Sequence, residues 1–156
     1  MQNLLREDVS VRDILTLFEC LADHCKIIRN PDLLSEQCRK SMSRTIIQKY
    51  LTDRGEIAVV TFDRLIEDII AGGLVTTENG SSYLNLDSKN AGEILQKLVK
   101  GLSQFDKEGT QPILVVGAKI RQAFQKLVCR YVPQLTVLSF DEIPYEIKMK
   151  NLEMII

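Results

Sequence analysis

Between residues 9 and 25, apolar side chains recur near every 3.6 positions. Ile14, Leu15, Leu17, Phe18, Leu21 and Ala22 gather on one side while Arg12, Asp13, Glu19 and Asp23 fall mainly opposite, which predicts an amphipathic helix. Ser10 is the expected N-cap, with Asp13 placing a carboxylate on the free amides of the first turn. The step Asn30-Pro31-Asp32 opens a second helix, because proline costs nothing where its missing N–H would lie unpaired anyway. A stripe of Leu34, Cys38, Met42, Ile46 or Ile47, and Tyr50 carries that helix to about Leu51.

At Thr52-Asp53-Arg54-Gly55 the helical period stops, and Ile57 to Phe62 forms a β-branched run suited to a strand. Asp63 then caps a short helix through Leu65, Ile66, Ile69 and Ile70, ending at Gly72-Gly73. Glu78-Asn79-Gly80 is a hairpin-type turn leading into a strand from Tyr83 to Leu86, and Asp87 or Ser88 caps a long helix with Ile94, Leu95, Leu98, Val99 and Leu102 on one side. A strand from Ile113 to Val116, a helix from Ala118 to Tyr131 and a strand from Leu135 to Phe140 follow. The tail from Glu146 to Ile156 alternates weakly and adds an edge strand. The expected architecture is mixed α+β and α/β. A helical subdomain, residues 1–54, precedes a small α/β subdomain, residues 55–156, built on a four- to five-stranded sheet.

Composition narrows the functional classes. A chain of 156 residues with 45% apolar and 26% charged positions can bury a core, which excludes a disordered or fibrous chain. Twenty basic residues against twenty-one acidic ones leave a net charge of −1 and no broad electrostatic argument for nucleic acid or an anionic membrane. Arg39, Lys40, Arg44 and Lys49 on the second helix read either as a local DNA-binding face or as a solvated face paired along the helix with Asp32 and Glu36. The first ten residues lack the apolar stretch of a signal peptide, so the chain is expected in the cytoplasm with its four cysteines reduced.

Candidate chemistry is sparse. Cys20 and His24 stand one turn apart with Cys25 adjacent and Cys38 on the next helix, a set that reads as zinc ligands or as small core fillers with one helix-end histidine. The strand-to-helix turn at Gly117 resembles a phosphate cradle, yet neither the further glycines of a dinucleotide fingerprint nor a Walker Lys-Ser/Thr follows it. A nucleotide-binding turn and an ordinary connection therefore both stand there. Cys25 beside His24 cannot form a nucleophile pair, because neighbours in a helix point about 100° apart. The paired carboxylates Asp141 and Glu142, or Asp63 and Glu67, read as caps and solubility. No catalytic constellation, cofactor or metal is expected, and weight shifts to binding and assembly.

Ordered segments then carry a resemblance. Leu4-Leu5-Arg6-Glu7-Asp8-Val9-Ser10-Val11-Arg12-Asp13-Ile14, Leu21-Ala22-Asp23, Pro31-Asp32-Leu33-Leu34 and Val137-Leu138-Ser139-Phe140-Asp141-Glu142-Ile143-Pro144 resemble the C-terminal cytoplasmic part of the type III secretion export-gate family, the FlhA, InvA and SctV kind. Ser43-Arg44, Ser82-Tyr83-Leu84 and Gln111-Pro112-Ile113-Leu114-Val115 fall between them in family order. The resemblance implies the last two of four cytoplasmic subdomains of an inner-membrane protein, on the cytoplasmic face, with the membrane-spanning half and first two subdomains lying outside this chain. It further implies a ring of about nine copies that receives chaperone–substrate complexes, gatekeeper proteins and ATPase-complex proteins without hydrolysing nucleotide. In flagellar relatives chaperones dock mainly between the first two subdomains, so strong chaperone binding is not expected of this segment alone. By the same resemblance Leu4, Leu5, Arg6, Glu7, Arg12 and Asp13 lie where one ring member meets the next. Tyr145, Lys148, Lys150 and Asn151 depart from the family's acidic–apolar ending and favour an injectisome over a flagellar parent.

Overall fold

The run Ile57–Phe62 and the run Ile113–Val116 are buried at every position, the pattern of strands covered on both faces. The computed structural model describes residues 1–156 and shows both covers. In chain order the elements are α1 (Gln2–Arg6), α2 (Ile14–His24), α3 (Pro31–Ser41), α4 (Ser43–Gln48), β1 (Glu56–Phe62), α5 (Arg64–Gly72), β2 (Leu74–Thr76) and β3 (Ser82–Leu84). There follow α6 (Ser88–Glu108), β4 (Ile113–Val116), α7 (Ala118–Val128), β5 (Thr136–Ser139), a 3-10 turn (Phe140–Glu142) and β6 (Lys148–Ile155). The main sheet is parallel, in the order β5-β4-β1-β6, and β2 and β3 form a separate antiparallel hairpin.

Strand alternation sends two sets of side chains to opposite faces. Ala58, Val60, Phe62, Leu114, Val116 and Val137 meet Ile66 and Ile70 of α5, Leu98 and Phe105 of α6, and Ile120 and Phe124 of α7. Ile57, Val59, Ile113, Val115 and Leu138 meet Leu4, Val9, Leu17, Cys20, Cys38, Met42, Ile46 and Ile47 from the helices that precede β1. Those early helices therefore form the third layer of an α/β/α arrangement. The mixed fold class expected from the sequence is present, with four strands in the main sheet and the tail as its edge strand.

Local boundaries differ in instructive ways. The first long helix begins at Ile14, and its cap is Asp13, whose carboxylate accepts the Thr16 N–H at 3.2 Å. Ser10 reaches only the Arg12 N–H at 3.4 Å, because Val9 is buried and holds the chain non-helical there. The second predicted helix is two helices, α3 and α4, broken at Met42. The break turns the apolar stripe so that Cys38, Met42, Ile46 and Ile47 all enter one core. Sequence periodicity offered no sign of α1 or β2, which span five and three residues, too few to display a period. No helix is long and apolar enough to cross a membrane.

Candidate interaction surface

The layers are joined by a buried ionic network. Glu7, on the turn after α1, places one carboxylate against both Arg39 of α3 (Oε2 to Nη1 3.0 Å) and Arg121 of α7 (Oε2 to Nη1 2.6 Å, Oε1 to Nη2 3.3 Å). Arg121 also donates from Nε to Glu36 at 2.6 Å and from Nη2 to the other Glu36 oxygen, a fork-to-fork pairing. Arg39 Nε donates to Glu142 at 2.6 Å, and the second Glu142 oxygen accepts the Ser139 N–H and hydroxyl. Asp8 makes the turn possible by taking a left-handed conformation at φ 55°, which Asp tolerates better than most residues. Three carboxylates thus face two guanidiniums. Burial pushes the Glu36 carboxyl above its ordinary value despite Arg121 and Arg39. Burial also opposes the Arg121 charge, but the hydrogen bonds and fields of Glu36 and Glu7 outweigh it and hold the guanidinium firmly protonated.

This network accounts for the cations of the second predicted helix. They neither form an open basic face nor pair along the helix. Arg39 is buried, Lys40 meets Asp141 at 2.9 Å, Arg44 meets Glu146 at 3.2 Å, and Lys49 meets Asp8. Asp32 and Glu36 are likewise spent on α7, through Lys126 and Arg121. Glu142, expected to serve as cap and solubilising charge, does cap Ser139 but is buried beside Arg39. Sequence spacing could not reveal pairs about a hundred residues apart.

The six positions implied by resemblance divide in two directions. Leu4 is 1% exposed in the core, Glu7 holds the arginine pair, and Asp13 caps α2. Leu5, Arg6 and Arg12 face solvent. Beyond them, on the outer side of α2, Ile14, Leu15 and Phe18 stand 51%, 71% and 54% exposed. Ile14 and Phe18 are one turn apart with Leu15 beside them, so three large apolar side chains share one exposed stretch of helix. The periodicity that marked α2 as a helix had counted all three toward the core, since spacing alone does not distinguish a core stripe from a docking stripe.

The remaining candidate chemistry resolves locally. His24 Nδ1 lies 2.9 Å from the Cys20 carbonyl and 3.8 Å from Cys20 Sγ. Cys38 is buried, and burial together with the adjacent Cys20 pushes its thiol up to about 12, whereas Cys25 is exposed. No group of three or more His, Cys, Asp or Glu side chains is placed to hold a metal. At the Gly117 turn the backbone N–H donates to Glu67 Oε1 at 3.0 Å, so a carboxylate of the chain itself occupies the position a phosphate would take at the start of α7. One open cleft is lined by Arg54, Glu56, Glu108 and Lys150, with mixed charge and no converging set of catalytic groups.

Comparison with known proteins follows the same lines. The FHIPEP family model matches residues 1–148. Flagellar biosynthesis protein FlhA of Bacillus subtilis is 31% identical over 152 residues, covering 97% of this chain and 22% of that protein. Low calcium response locus protein D of Yersinia pestis is 28% identical over 152 residues, covering 97% and 21%. This chain therefore spans about a fifth of the length of such relatives. Among solved structures, the Chlamydia pneumoniae CdsV protein superposes with a TM-score of 0.90 at 28% identity, covering 99% of this chain and 44% of that one. Nonameric EPEC SctV-C gives 0.86 at 26% identity, covering 98% and 45%. The Chlamydia pneumoniae CdsV and CdsO complex gives 0.86 at 29% identity, covering 99% and 44%. The chain belongs to the FHIPEP family and corresponds to the C-terminal cytoplasmic region of its type III export-gate members.

Proposed function

We propose that this chain serves ring assembly and protein reception in a type III export gate, with residues 1–54 and 55–156 as the third and fourth cytoplasmic subdomains. The observation that carries the reading is the exposed apolar stripe of Ile14, Leu15 and Phe18 on α2, next in sequence to the outward-facing Leu5, Arg6 and Arg12. A soluble surface gains by covering such a stripe, and the flanking arginines give the contact a register. In this reading Leu4 and Glu7 hold the arm in place from within, Asp13 fixes the start of α2, and the outward residues meet the next copy. The nonameric assembly of EPEC SctV-C supports self-association as the mode. The CdsV and CdsO complex supports a second polypeptide as a partner class. Chaperone–substrate complexes, gatekeeper proteins and ATPase-complex proteins are the partners we extend to this chain, with the parent protein in the inner membrane.

Charge reversal tests the arm. Arg6→Glu and Arg12→Glu should each weaken self-association of the cytoplasmic region, measured by native mass spectrometry, while leaving its circular dichroism unchanged. Intact rings in both variants would remove these positions from the contact. The nucleotide reading at Gly117 has no supporting observation, since Glu67 already satisfies that amide.

A further inference from the structure

Helix α6 turns Ile94, Leu98, Gly101 and Phe105 inward. At about 100° per residue, the opposite line runs through Lys89, Gln96, Lys100, Ser103 and Lys107, with Lys97 at its shoulder. All four lysines are exposed. On other elements Lys40, Lys49, Lys126, Lys148 and Lys150 each meet a carboxylate, whereas the four lysines of α6 take part in no ion pair.

A solvated helix face commonly sets a carboxylate one turn from each lysine. Here the stretch from Ile94 to Phe105 contains no acidic residue at all. Of the carboxylates around it, Glu108 is spent on Lys150, and Glu153 of β6 accepts from Gln104 at 3.2 Å. Glu93 and Asp106 bracket the stretch and leave it two cations in excess. Lys97 and Lys100 stand one turn apart and repel each other. Lys89 lies in the first turn, where free amides favour a carboxylate, and both oxygens of the capping Asp87 are taken by Asn90. The helix therefore carries cations where its own stability favours anions.

Beside these lysines the surface is low. Gly92, Gln96, Val99 and Ser103 recur four, three and four residues apart, a seam along which a second helix can lie. A Cβ on Gly92 would meet nothing within 4 Å, and Val99 is 55% exposed. Lys89, Lys100 and Lys107 border the seam on one side over about 27 Å. Leu95 and Leu102, partly buried, border it on the other. Charge and polarity thus specify a two-sided occupant. We infer that the outer face of α6 is a docking site for an acidic amphipathic helix of another polypeptide, its carboxylates toward Lys89, Lys100 and Lys107 and its apolar side toward Val99, Leu95 and Leu102. The inference stands apart from the ring reading, whose contacts lie on the arm and α2.

The probe is a blocked helical peptide of about five turns, leucine on one side and glutamate along one border, titrated into the full chain and followed by NMR. Saturable binding should shift the amides of residues 89–107 and leave those of α2 unchanged. The K100E/K107E variant should bind at least tenfold more weakly and prefer a peptide with lysine in place of glutamate. K26E, which changes an exposed lysine elsewhere, should bind as the native chain does, and so should the Leu15→Asp/Phe18→Asp variant, so this face and the ring contact fail separately. Lys89→Glu should unfold at no lower temperature than the native chain yet bind more weakly, a combination that a purely structural role for this lysine would reverse. Absence of saturable binding at millimolar peptide, equal binding by K100E/K107E, or shifts mapping away from α6 would each overturn the inference. So would α6 shifts induced by phosphatidylglycerol vesicles but not by peptide, which would assign the face to a membrane. Concentration-dependent α6 shifts without peptide would assign it to a second copy and overturn it as well.

Discussion

At the residue scale, Glu7 does the most with a single side chain. It ties the arm to α3 and α7 through two arginines that are otherwise out of water. Removing one member of a buried ionic set costs more than the set contributes as a whole, because the partners stay buried without their counter-charge. Glu7→Ala should destabilise the chain by roughly 2–4 kcal/mol in urea unfolding, discounted for the partial exposure of Glu7. Glu7→Gln, which keeps an acceptor, should cost less. A loss below about 0.5 kcal/mol for the alanine variant, the range of an ordinary surface change, would contradict the role given to Glu7.

Glu36 supplies a pH signature. Its carboxyl lies above the ordinary 4.5 in the folded state, so the unfolded chain releases this proton first as pH rises. The contribution is fully present below the unfolded value and is lost as pH climbs through the folded one. The stability advantage of the native chain over Glu36→Gln should therefore shrink as pH rises from below 4.5 through the raised value. NMR titration of the Glu36 side chain checks it directly; a midpoint below 4.5 would reverse the predicted sign.

At the scale of elements, the sequence disclosed most where local chemistry decides. Asp63 caps α5 and Asp87, one of the two residues expected there, caps α6; Pro31 opens α3 as expected, and the runs at β1 and β4 announced strands. It disclosed least where distant contacts decide. Met42 interrupts a continuous helical period because burying the whole stripe requires a turn, and Ser10 loses the cap to Asp13 because Val9 is needed in the core. Asn30 also shows a local cap gaining a distant use, since its amide donates to Ser81 Oγ at 3.1 Å and to the Asn79 carbonyl. Asn30→Ala should cost about 1–2 kcal/mol, at the upper end for a lost N-cap. It should also accelerate amide exchange at residues 77–81, and unchanged exchange there would show that the hairpin is held otherwise. On α6, a Cβ at Gly101 would meet Ile155 at 3.0 Å, so Gly101→Val should destabilise by roughly 1–3 kcal/mol through overpacking. Thermal unfolding reports that loss, and a variant as stable as the native chain would mean β6 can move away from α6.

At the scale of the whole molecule, the early helices cover one face of the sheet. Residues 55–156 produced alone would leave Ile57, Val59, Val115 and Leu138 bare and should be molten or aggregated by NMR. A well-dispersed monomer spectrum from that segment would show that it folds without the early helices. The ionic network escaped sequence reading for the same reason that this cover did: pairs such as Glu7 with Arg121 and Arg39 with Glu142 exist only once three layers are assembled. The exposed stripe on α2 was visible as apolar residues, but which apolar residues remain outside is decided by packing.

Sedimentation velocity of the native chain and of a Leu15→Asp/Phe18→Asp variant, over rising concentration, tests the central claim most directly. The account predicts that the native chain self-associates while the variant stays a folded monomer. A native chain that remains monomeric at millimolar concentration, or a variant that associates equally well, would contradict it.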